Sequence, residues 1–69
     1  MEKLEFECEE ILAKDLLKAL NIANSGGQAK HLIKDIGIKV NGEILYMPNK
    51  RLKKGDRVEF DEEFQIDLI

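Results

Sequence analysis

Residues 25–56 read SGGQAKHLIKDIGIKVNGEILYMPNKRLKKGD, and this stretch decides the fold. Ser25 followed three positions later by Gln28 fits a capping box: the serine hydroxyl accepts from a free backbone N–H and the glutamine reaches back. Ala29, Leu32, Ile33 and Ile36 then recur at i, i+3, i+4 and i+7, which makes one apolar stripe on a helix, and Gly37 stops it. Ile38 and Val40 alternate with Lys39 as a strand. Asn41-Gly42 is a hairpin signal, because these two residues tolerate the left-handed backbone that a two-residue turn demands. Ile44 to Tyr46 returns as the partner strand. Met47 to Lys54 reads as a loop that holds the only proline, Pro48, with Leu52 as its apolar anchor, and Gly55-Asp56 makes a turn.

Working outward, Leu4, Phe6 and Cys8 alternate with glutamates and read as a strand with one buried face. A helix is expected from about Glu10 to Leu20, with Ala13, Leu16, Leu17 and Leu20 as its apolar stripe. Asn21 to Asn24 connects it to the second helix, with Ile22 turned inward. On the other side, Arg57 to Phe60 is a strand with Val58 and Phe60 inward. Asp61-Glu62-Glu63 is an acidic turn, and Phe64, Ile66 and Leu68 alternate as a last strand. The expected architecture is α+β: two short helices packed on a small, mainly antiparallel sheet, with residues 1–69 as a single domain.

A chain of 69 residues buries only about 60% of its unfolded surface, so its core is thin. Enzymes that need a deep, dry pocket are disfavoured. The hydrophobic share of 43% is too high for a disordered tail. Cys8 is the only cysteine, which excludes an internal disulfide and fits a reducing compartment. No apolar run approaches the roughly 18–20 residues that span a bilayer, and the acidic start MEKLEFECEE lacks the apolar block of a signal peptide. A cytoplasmic location is expected.

The net charge of -3 hides an uneven distribution. Residues 1–12 carry five Glu against one Lys, and residues 58–69 carry five acids and no base. Residues 13–57 carry eight Lys and two Arg against four acids. A basic middle between acidic ends points to a specific anionic partner rather than general stickiness.

Within that middle, Gly26 and Gly27 follow the cap directly. A glycine costs about 0.8–1.0 kcal/mol relative to alanine inside a helix, somewhat less in the first turn, so the pair needs a reason. One reading is a close approach of phosphate to free N–H groups at the positive end of the helix dipole. Another is tight packing against the first helix, and both can hold together. At 100° per residue, Gly27, Lys30, His31 and Lys34 fan out opposite the apolar stripe. A second basic group, Lys50, Arg51, Lys53 and Lys54, meets no acid in sequence until Asp56. Cys8 alternates with core residues and has no neighbouring base. Ser25 is explained as a cap, and Tyr46 is expected as a half-buried strand residue rather than a base-stacking one. No metal-ligand spacing, nucleotide fingerprint or catalytic triad is present. Neither a cofactor nor enzymatic activity is expected.

SGGQAKHLI, IKVNGEI and RLKKGDRVEF, in that order, resemble the RNA-binding domain named after small-subunit ribosomal protein S-four, with its αL motif. The resemblance covers roughly Leu12 to Phe60. The SGGQAK form and the length look most like the bacterial, stand-alone YaaA-like subgroup. It implies a small protein that binds structured RNA, ribosomal RNA above all, by phosphate and shape contacts and in association with a ribosomal particle. The RNA contacts carried over fall on Ser25, Gly26, Gly27, Lys30, Lys34 and the Lys50–Lys54 loop, with His31 beside them. Many relatives have arginine directly after the capping serine, where this chain has Gly26, and arginine often stands in place of Lys30. The alternative is a protein–protein interaction module that uses the acidic ends or a sheet edge.

Overall fold

A computed structural model describes residues 1–69. Seven strands and two helices follow in the order β1 (Glu2–Phe6), β2 (Glu10–Leu12), α1 (Ala13–Ala19), α2 (Gly26–Asp35), β3 (Ile38–Val40), β4 (Glu43–Leu45), β5 (Arg51–Lys53), β6 (Arg57–Phe60) and β7 (Phe64–Leu68). The main sheet has the order β1-β7-β6-β3-β4, and β2 and β5 form a separate ribbon. Every pairing is antiparallel except β1 with β7, which run parallel with Leu4 beside Ile66 and Phe6 beside Leu68. The α+β class and the mainly antiparallel sheet are as the sequence pattern requires.

The core forms where alternation and helical stripe meet. Leu16 and Leu17 from α1, and Ala29 and Ile33 from α2, join Ile38, Val58, Phe60, Ile66 and Leu68 in one buried cluster. No charged or polar side chain is buried in it. Leu4, Phe6 and Cys8 pack against its edge, half-buried. The β3–β4 hairpin turns at Asn41 (φ 51°) and Gly42 (φ 90°), the backbone of a type I′ turn.

Four expectations need correction. The first helix does not start near Glu10, because Glu10–Leu12 is extended and pairs with Arg51–Lys53. That pairing also replaces the expected Met47–Lys54 loop with a strand around Leu52, which is fully buried. Neither three-residue strand carries a local signal, since each is stabilised only by its distant partner. The apolar stripe of α2 stops short of Ile36, which caps the helix and is 38% exposed. Tyr46 lies just past the end of β4 on the outward face it shares with Ile44, and both are 54% exposed, so it is not the half-buried residue expected. Ala23, unremarked in the sequence pattern, is buried beside half-buried Ile22. Both residues donate their N–H to the Leu17 carbonyl after Asn21 (φ 60°) reverses the chain, and an asparagine just past a helix is the signal that marks such a reversal.

Candidate nucleic-acid interface

Helix α2 builds the first part of the site. Ser25 is extended, and its Oγ accepts from the Gln28 N–H at 3.1 Å. Gln28 reaches back so that its Oε1 accepts from the Asn24 N–H. The N–H groups of Gly26 and Gly27 have no partner within the chain. A β-carbon at Gly26 would meet no atom within 4 Å, and one at Gly27 would only touch Ser25 Oγ at 3.9 Å. Neither glycine has left-handed backbone. The packing reading of the glycine pair is therefore overturned: no neighbour presses on them, and their surface is open. The first turn contains no acid. Lys30, His31 and Lys34 are exposed on the same helix, and neither lysine has a carboxylate within ion-pair distance.

The second part is the β5 ribbon and the turn that follows it. Asp56 organises this turn. Its Oδ2 accepts from the Lys53 N–H at 3.0 Å, and its Oδ1 accepts from Asn41 Nδ2 at 3.1 Å. Asn41 Oδ1 in turn accepts from the Arg57 N–H at 2.9 Å, and the Asn41 N–H donates to the Arg57 carbonyl at 2.8 Å. The hairpin tip and the lysine turn are thus locked together, a second role for Asn41 that its hairpin signal concealed. Lys50, Arg51 and Lys53 share a hollow with Asn41, Asp56 and Glu10. Glu10 is far away in sequence and arrives through β2. It approaches Arg51 at 3.8 Å with both side chains largely exposed, a contact worth little in water. Lys54 projects from the turn itself.

Helix α1 touches the elements that carry both basic groups. Helix α2 packs along α1, while the Ala13 and Lys14 N–H groups donate to the carbonyls of Lys50 and Pro48 at 2.9 and 3.0 Å. Arg57 stands apart, because its Nε donates to Asp67 Oδ1 at 2.8 Å. That bond and the charge of Asp67 raise the guanidinium pKa further. Burial, with Glu9 and Asp56 nearby, pushes the Cys8 thiol above its ordinary value. At neutral pH Cys8 is a neutral thiol, which is the poor form for a nucleophile.

Met1, Ile36, Lys39, Ile44, Glu59, Asp61 and Glu62 line a further open hollow whose walls are apolar and mainly acidic. No group of three or more His, Cys, Asp or Glu is arranged to hold a metal ion. No helix is long and apolar enough to cross a membrane. Compared with known proteins, the chain matches no curated protein. A family model described as the S4 domain matches residues 4–67, nearly the whole chain.

Proposed function

Because the chain belongs to the S4 domain family, a family of RNA-binding modules, we propose that it binds structured RNA, with ribosomal RNA as the target and the bacterial cytoplasm as the setting. It works by binding, without catalysis. Ser25, Gly26, Gly27, Lys30, His31 and Lys34 form one contact region, and Lys50, Arg51, Lys53 and Lys54 form the other. The observation that carries the reading is the open start of α2. Two N–H groups there have no partner in the chain, a β-carbon at either glycine would meet nothing closer than 3.9 Å, and lysines without carboxylate partners follow on the same helix. Phosphate oxygens fit such a place, because the helix dipole and the N–H groups both favour negative charge.

Replacing Lys30, Lys34 and Lys53 together by glutamine tests it. Each lost phosphate contact lowers the slope of log K against log salt by about 0.7–0.9, so the triple variant is expected to flatten the slope by about two to three. An unchanged affinity and slope would overturn the proposal.

The mixed apolar and acidic hollow favours a second reading, that of a protein-interaction module. A protein partner retained after nuclease treatment, with no RNA bound by the purified chain, would favour this second reading over the first.

A further inference from the structure

Tyr46 takes no part in the contacts described above, yet its placement is unusual for the only tyrosine in a chain without tryptophan. It is 54% exposed and sits over Gly37, the left-handed residue (φ 85°) that ends α2. A β-carbon on Gly37 would lie 2.9 Å from Tyr46 Cε1 and 3.2 Å from Ile44 Cγ2. One edge of the ring is therefore seated against backbone that has no side chain.

The segment after Tyr46 is also fixed. The Lys50 N–H closes a turn onto the Met47 carbonyl at 3.1 Å, and the Pro48 and Lys50 carbonyls are held by the first N–H groups of α1. Tyr46, Met47, Pro48, Asn49, Lys50 and Arg51 line an open hollow to which no carboxylate contributes.

We propose that Tyr46 is a stacking platform for one unpaired base, with Lys50 and Arg51 holding the phosphates on either side of it. This deepens the RNA-binding reading and rests on it. An exposed aromatic ring beside Lys50 and Arg51, the latter held only by a loose, exposed contact to Glu10 at 3.8 Å, suits a nucleotide, whose flat base stacks and whose phosphate is anionic. A continuous A-form duplex keeps its base faces inside the stack, so the ligand is a loop, a bulge or a single-stranded segment. Met47, 52% exposed, supplies a further apolar surface beside the ring.

Because Tyr46 is the only tyrosine and tryptophan is absent, ultraviolet-excited emission from the unmodified protein reports on this ring alone. The experiment titrates the full chain with two RNA hairpins, one carrying a single unpaired nucleotide in its stem and one with a fully paired stem. Both have loops capped by a non-nucleotide linker, and free tyrosine amide corrects for absorption by the RNA. The expected result is saturable quenching by the bulged RNA and much weaker quenching by the paired one. Tyr46→Phe keeps the affinity. Tyr46→Ala loses about 5- to 140-fold for the bulged RNA, with the salt slope unchanged because no charge has been removed.

Salt-dependent binding without quenching, or equal quenching by both hairpins, would overturn the platform and leave the RNA reading intact. Failure of the unmodified protein to bind either RNA would overturn both. The quenching measurement needs no variant, so misfolding of Tyr46→Ala could not obscure the answer.

Discussion

Helix α1 begins after Leu12, which offers no side-chain cap, and its first two N–H groups donate to the carbonyls of Lys50 and Pro48. Helix α2 begins after Ser25, which caps it locally, and leaves the N–H groups of Gly26 and Gly27 without partners. The orphan donors of a helix start must be met by something. At α1 the chain itself meets them, and the start is consumed in holding the 48–50 segment. At α2 solvent or a ligand meets them. The same local chemistry thus serves architecture at one helix and is left free at the other. The difference lies in what the tertiary fold brings to each end.

The start of α1 depends on the most buried point of the ribbon. Leu52 is fully buried in β5, and the ribbon it anchors leads back to the carbonyls that hold the start of α1. Leu52→Ala is expected to cost about 2–5 kcal/mol, measured by denaturant unfolding. A loss under about 1 kcal/mol would show that the α1 start does not depend on the ribbon. At the other helix the support is local, so Ser25→Ala is expected to cost about 1 kcal/mol in the same assay. A cost as large as that of Leu52→Ala would mean that the two starts are not different in kind.

The smallest effect is the sharpest. At Gly26 a β-carbon meets nothing and the backbone is unstrained. Gly26→Ala is therefore expected to stabilise the protein by a few tenths of a kcal/mol, up to about 1, while weakening RNA binding if the proposed phosphate contact is made there, because the new methyl would stand in its path. Paired thermal melts and binding isotherms separate the two outcomes. Tighter or unchanged binding would remove Gly26 from the contact surface.

Much of this was legible in the chain. The Ser25–Gln28 cap, the Asn41-Gly42 turn and the inward Val58, Phe60, Ile66 and Leu68 are local patterns, and local patterns are what a sequence displays. The β2–β5 ribbon was not legible. Ile11 and Leu12 look like the opening of the helix that follows them, and only the distant partner strand makes them extended. The same long-range pairing brings Glu10 into the basic hollow, where the sequence suggested no acid before Asp56. The glycine pair was ambiguous until the space around it was known, since close packing and the approach of an anion to the backbone both call for glycine. Tyr46 follows the alternation of β4, but it falls on the face of Ile44 that the core does not cover, and which face is covered is a tertiary property.

The parallel pairing of β1 with β7 also has a consequence for how the molecule comes into being. The first strand of the chain finds its only sheet neighbour in the last one, and the Cys8 N–H waits for the carbonyl of Ile69. During synthesis the chain emerges from its N-terminus, so Leu4 and Phe6 leave the ribosome long before Ile66 and Leu68 exist to cover them. The closing contact is the most non-local in the fold, and contacts of that kind form late and slowly. The sheet is completed only after residue 68 has been made, so any truncated product leaves an acidic, half-apolar strand without a partner.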